Sequence, residues 1–183
     1  NNILFIADEI QTGLGRTGAL FACQHEDVRP DIVVIGKALS GGFYPVSAVL
    51  ADKSVLGLFQ PGEHGSTFGG NPLGAAVAIA ALEVIEEENL IERSKTMGQY
   101  IMDYLEEIPK KNIIDIRGKG LLIGVELNHE LGGARRFAEK FQEKGILVKE
   151  THIHTLRFAP PLIIEKKVVD WMLPIVRDIL LME

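Results

Sequence analysis

The sequence predicts an α/β first part followed by a smaller α+β second part, and three observations predict it. Two short apolar runs, "ILFIADEIQTG" and "DIVVIGKALSGG", each end in a charged residue and a turn, as buried strands of an α/β sheet do. A Gly-rich loop then opens a long apolar-striped segment, "GSTFGGNPLGAAVAIAALEVIEEEN". After Asn89 the pattern changes to short strands alternating with amphipathic helices.

In the first part, Ile3 to Ala7 reads as a strand. "TGLGRTG" is a Gly-rich loop, because its glycines supply positive φ and little else. Ile32 to Ile35 is a second buried strand and Val46 to Leu50 a shorter third; their length and β-branching favour strand over buried helix. Asn71 is a natural N-cap, with Pro72 at the first helical position. Leu73, Val77, Ala80 and Val84 then recur at helical spacing, and Gly74, Ala75 and Ala76 allow close packing of the first turn. "EEEN" is a solvated helix end.

In the second part, Leu90 to Ile108 reads as an amphipathic helix with Met97, Ile101 and Leu105 on one stripe. "IIDIRGKGLLIGVEL" reads as two strands around a Gly turn, with Arg117 as a structural turn residue. Ala134 to Lys144 is a helix with Phe137, Ala138 and Phe141 inward. Ile146 to Val148 and Leu156 to Ala159 are strands. Glu165 to Met182 is helical, with Trp171 in the core, and Pro174 must kink it or mark a new start. The boundary falls near residues 85 to 95, giving domains 1–90 and 91–183. No internal repeat or low-complexity segment is evident.

A chain of 183 residues can bury a sizeable core. Its net charge of -6 argues against a phosphate-backbone binder, which needs a basic face, so no nucleic-acid partner is expected. No apolar run spans a bilayer, so no membrane partner is expected either. The single Cys23 allows no internal disulfide and fits a reducing compartment. With no Met and almost no lead-in before a buried strand, the chain reads as the C-terminal part of a longer protein.

Ligands of open α/β sheets bind at strand ends, where Asp8 and Lys37 both fall. Alone, Asp8 could be a metal ligand, a general base, a partner for a buried cation, or simply an ion pair or helix cap. Lys37 alone could be a lysine emerging into solvent. "HGSTFGGNP" adds hydroxyls and free backbone N–H groups at a helix N-terminus, which together form an anion site. Amine, carboxylate and phosphate site match pyridoxal 5'-phosphate. Its aldehyde needs a lysine, its pyridine nitrogen an acid partner, and its phosphate an anion site. His152 and His154 in "HIH" put two imidazoles on one face of an extended segment, but no third ligand stands at a usual spacing, so no metal is expected.

These motifs, "ADEIQTGLGRTG", "DIVVIGKALSGG", "YPVSAV", "PGEHGSTFGGNPLG" and "RFAPPL", resemble those of the class III, fold type I aminotransferases along essentially the whole chain. The third and fourth favour the ornithine branch over the acetylornithine one. The resemblance implies the later part of the pyridoxal-phosphate-binding large domain, followed by the small C-terminal domain. It implies that Lys37 bonds the cofactor and moves a proton, that Asp8 pairs with the pyridinium nitrogen, and that Gln11 bonds the phenolic oxygen. Thr67, with Ser66 beside it, would reach the phosphate of the neighbouring subunit's cofactor in a homodimer. Arg157 would clamp a substrate carboxylate. The implied reaction moves the δ-amino group of ornithine to 2-oxoglutarate, giving glutamate-5-semialdehyde and glutamate, as one step of arginine degradation and proline biosynthesis. Another ω-amino-acid or N-acetylornithine aminotransferase is the nearest alternative; a non-catalytic folding or dimerisation piece is one of another kind. The implied location is the cytoplasm, or the mitochondrial matrix in a eukaryote. The residue that stacks on the cofactor ring, the other phosphate-binding turn, a second substrate arginine and the glutamate that gates Arg157 are expected upstream.

Overall fold

The computed structural model describes residues 3–182, which divide into two compact units with the split between Ile91 and Glu92. The first unit holds a three-stranded sheet of β1 (Ile6–Asp8), β2 (Ile32–Ile35) and β3 (Ala48–Ala51), with β2 central. β1 pairs with β2 in parallel, Ala7 opposite Val33, and β3 returns antiparallel, Leu50 opposite Val33. The β-branched run of β2 suits this central position. β1 is shorter than the expected Ile3 to Ala7 and ends one residue later. Phe5 stands at its entrance, donating to Asp31 Oδ2 at 2.7 Å and accepting from the Asp31 and Ile32 amides. Ile3, Leu4, Phe5 and Ile6 are exposed. β3 likewise begins later than expected, because Val46 and Ser47 still belong to the incoming turn.

A short α1 (Lys53–Leu56) follows, and then α2 (Pro72–Glu87). Asn71 caps α2 by accepting from the Gly74 amide at 2.8 Å, and Pro72 occupies a position where no N–H is needed. The packed face of α2 differs from the expected stripe. Leu73, Ala80 and Val84 are exposed, whereas Gly74 and Ile85 are buried and Val77, Ala78 and Ala81 partly so. Small side chains decide this. A Cβ on Gly74 would sit 3.4 Å from Tyr44 Cε1, and one on Gly41 3.6 Å from Ala81 Cβ. The small-residue face therefore lies against the turn that follows Lys37, closer than Leu73 would allow. Asn89, with φ +51, ends the helix in the left-handed region.

The second unit is an antiparallel sheet in the order β4-β5-β7-β6, formed by β4 (Ile113–Lys119), β5 (Leu122–Leu127), β6 (Lys149–Thr151) and β7 (Thr155–Phe158). Strand alternation puts Ile123, Val125, Leu127, Leu156 and Phe158 on one buried face. Into the same core pack Ile101 and Leu105 of α3 (Leu90–Glu106), Phe137 and Phe141 of α4 (Arg135–Glu143), and Val169, Leu173, Val176 and Leu180 of α5 (Lys166–Leu180). Phe141 meets Phe158 edge-on, with ring centroids 5.6 Å apart.

Four expectations for this unit are corrected. Trp171 is half exposed rather than core, because α5 turns Val169, Leu173 and Val176 inward and Trp171 lies off that stripe. α5 runs through Pro174 as one helix. Ile146 to Val148 is not a strand: Leu147 points to solvent, and pairing with β7 begins at Lys149. His152 and Ile153 take φ of +49 and +66 in the tight β6–β7 turn, so "HIH" is not extended. Arg117 lies within β4, ahead of the turn at Gly120. Among the described residues no helix is long and apolar enough to cross a membrane, and no group of three or more His, Cys, Asp and Glu is placed to hold a metal.

Candidate active site

Asp8 is the last residue of β1, and Lys37 follows the end of its parallel neighbour β2 by two residues. Parallel register, with Asp8 opposite Val34, brings both to the C-terminal edge of the sheet, where α/β folds bind ligands. Gly36 is extended, and Lys37 then takes φ +43. A left-handed lysine costs on the order of 1 kcal/mol, and such conformations cluster where a side chain must be aimed. Ser40 secures the turn by donating to the Lys37 carbonyl at 3.2 Å. The amine is exposed, and Nζ donates to Gln11 Oε1 at 2.6 Å. Asp8 is exposed too; its Oδ1 accepts from the Ile10 amide at 3.1 Å.

Gln11 is held by the Gly-rich loop. The Gly13 amide donates back to the Glu9 carbonyl at 2.8 Å, and a Cβ at Gly13 would stand 2.7 Å from that oxygen, so only glycine fits there. Glu9 is a residue the sequence reading passed over. It is buried, its carboxylate accepts from the Thr12 hydroxyl and, at 2.8 Å, from the Cys23 amide, and it ties the two ends of the loop together. Burial pushes its pKa up, but the hydrogen bonds from Thr12, Cys23 and Ala22 outweigh that and hold the carboxyl below the ordinary glutamate range. The signal was present in the sequence: next to an outward Asp8, strand alternation sends Glu9 inward. Burial holds the half-buried Arg16 guanidinium below its usual pKa.

Lys37 also lines a groove of about 1270 Å³, together with Tyr44, Ser66, Phe68 and Asn71. Ser66 Oγ accepts from the Gly69 amide at 2.9 Å, closing the turn that leads into α2, and Thr67 is exposed on that turn. The first unit therefore joins Lys37 to Gln11 directly, sets Asp8 at the neighbouring strand end, and brings Ser66 into the groove of Lys37.

Arg157 belongs to the second unit, on the sheet face opposite the core. It stands opposite Gly124 on one side and Lys149 on the other. Its Nε is shut off from solvent and has no hydrogen-bond partner among the described residues. A buried, unsatisfied guanidinium nitrogen is costly and marks a place for an acceptor.

The sequence profile of the aminotransferase class-III family matches residues 1–180. The ornithine aminotransferase of Halalkalibacterium halodurans is 58% identical over 170 residues, which are 93% of this chain and 42% of that protein. The ornithine aminotransferase of Bacillus subtilis is 53% identical over 98% of this chain and 44% of its own length. Among solved structures, the ornithine aminotransferase of Toxoplasma gondii superposes with a TM-score of 0.95 at 42% identity, over 98% of this chain and 44% of that one. The acetylornithine aminotransferase of Elizabethkingia anophelis does so at 0.92 and 47%, over 98% and 46%. The chain thus spans under half the length of the curated relatives it matches.

Proposed function

The chain belongs to the aminotransferase class-III family, and from that premise we propose that it is the later part of a pyridoxal-phosphate enzyme that moves the δ-amino group of ornithine to 2-oxoglutarate. The products are glutamate-5-semialdehyde and glutamate. The observation that carries this reading is the Lys37 Nζ hydrogen bond to Gln11 Oε1, at the sheet edge that also presents Asp8. The residues fit the cofactor: an exposed amine aimed by a left-handed backbone, a carboxylate at the adjacent strand end, and an amide already in contact with the amine.

Bound pyridoxal phosphate supplies an electron sink for the charge left when the amino-bearing carbon gives up its proton. Lys37 Nζ anchors the cofactor and carries that proton. Asp8 keeps a proton on the pyridine nitrogen, because a carboxylate within ~4–6 Å favours the charged form by roughly 1–3 pK units. Gln11 orients both the amine and the cofactor's phenolic oxygen. Ser66 and Thr67, on the turn before α2, bind the phosphate of a neighbouring subunit's cofactor, which makes the working form a homodimer. Arg157 takes a carboxylate of 2-oxoglutarate or glutamate as a two-pronged clamp, an interaction worth about 1.5–3 kcal/mol.

The acetylornithine aminotransferase structure at 47% identity favours a second reading, with N-acetylornithine as the amine donor. Comparing kcat/KM for ornithine and N-acetylornithine in the full-length enzyme decides between them. Preference for ornithine is expected, and preference for the acetylated donor overturns the proposal.

A further inference from the structure

Arg157 is an arginine without a partner on a face that carries two carboxylates. Register fixes what surrounds it. Directly opposite on β5 is Gly124, which offers no side chain; directly opposite on β6 is Lys149, a like charge. Glu150 points to the other face of β6. The nearest carboxylate on Arg157's own face is Glu126, diagonal to it because Glu126 pairs with Thr155. Diagonal neighbours in an antiparallel pair lie ~7–8 Å apart at the backbone, within reach of two long side chains. An Arg157–Glu126 ion pair is therefore the contact this face would make by default.

It is not made, because Glu126 is engaged on its far side. Arg117 Nη1 donates to Glu126 Oε2 at 2.9 Å, and His129 Nε2 lies 3.2 Å from Oε1. Arg117 is itself anchored by Asp115 at 2.6 Å, and His129 stacks on His154 at 4.2 Å. Both oxygens of Glu126 are thus taken, and its carboxyl is held below the usual range by Arg117 first and His129 second. Gly124 leaves the row between Arg117 and Arg157 clear, with no side chain to fill the gap or supply a second competitor.

We propose that Arg117 is a positioning residue: it draws Glu126 away from Arg157 and so keeps Arg157 unpaired for a carboxylate ligand. This rests on the reading of Arg157 as the carboxylate clamp. Its energetic logic is competition. A ligand's apparent Kd rises by the inverse of the fraction of protein in which its site is open. If loss of Arg117 lets Glu126 occupy Arg157 about nine-tenths of the time, dicarboxylate affinity falls roughly tenfold.

The test uses the full-length holoenzyme with glutarate as the probe, its Kd read by titration calorimetry. Arg117→Gln is expected to weaken glutarate about tenfold. Adding Glu126→Gln is expected to restore affinity to within about twofold, because the competitor is then gone. A merely structural Arg117 would give no such rescue, so a double variant as weak as the single overturns the proposal. An unchanged Kd in Arg117→Gln overturns it as well. Should that variant fail to fold, His129→Gln at an exposed position carries the same test: a smaller loss of the same sign, again rescued by Glu126→Gln. Arg157→Gln separates the two levels. If it abolishes glutarate binding while Arg117→Gln does not weaken it, only the positioning role falls. If Arg157→Gln leaves glutarate bound as before, the carboxylate clamp itself falls, and the inference with it.

Discussion

Gly98 lies in the middle of α3, where intrinsic propensity alone makes Gly→Ala stabilising by about 1 kcal/mol. The contacts predict the opposite sign. A Cβ at Gly98 would stand 2.1 Å from the Gly120 carbonyl oxygen, 2.3 Å from its carbon and 2.7 Å from its Cα. These are backbone atoms of the β4–β5 turn, with φ of +53 at Gly120, and they cannot swing aside as a side-chain end can. Normal contact needs about 3.5 Å, so helix and turn must part by on the order of 1.5 Å. Leu121, fully buried beside that turn, and Ile101 and Leu105 on the same helix would lose packing. Overpacking of this kind costs about 1–3 kcal/mol, often with backbone shifts, and here it outweighs the propensity gain. For a unit of this size the expected fall in Tm is roughly 5–15 °C. Thermal unfolding of Gly98→Ala, with the exposed Gln99→Ala as a neighbour control, is the assay. A Tm equal to or above that of the parent would refute the close packing of α3 on the turn.

Two further predictions concern the first unit. Glu9→Gln removes the charge that accepts from Thr12 and Cys23, and should destabilise the loop by about 1–3 kcal/mol. Because the folded carboxyl titrates below its unfolded value, this contribution is complete above the ordinary glutamate pKa and disappears as pH falls through the depressed one. The parent and Glu9→Gln should therefore converge in stability in acid, as chemical denaturation at several pH values will show. Asp8→Asn should leave the cofactor bound yet lower kcat about 10- to 1000-fold, since an amide cannot hold the pyridine nitrogen protonated; a near-normal kcat would remove Asp8 from the chemistry.

How much of this was legible in the sequence differs from element to element, for physical reasons. β2 and the start of α2 were readable because a β-branched run and an Asn-Pro cap are local signals, and no tertiary contact overrides them. Lys37 and Asp8 were readable because a charge at the end of an apolar strand has few roles open to it. The packed face of α2 was not readable. Leu73, Ala80 and Val84 carry the hydrophobic signal, but the partner is a glycine-rich turn that accepts only the small face. Trp171 was misplaced for a related reason, since an aromatic beside a strong stripe looks like part of it until the helix phase is set by Val169, Leu173 and Val176. The Arg117–Glu126–His129 cluster was invisible because it depends on strand register across residues far apart in the chain.

The central claim is that Lys37 is the residue that bonds pyridoxal phosphate. Reducing the full-length holoenzyme with borohydride fixes the cofactor to the amine that holds it, and peptide mass mapping then finds that amine. The adduct is predicted on the peptide containing Lys37, in one copy per chain, and absent from Lys37→Ala. An adduct on Lys53 or Lys119, or an undiminished one in Lys37→Ala, would contradict it.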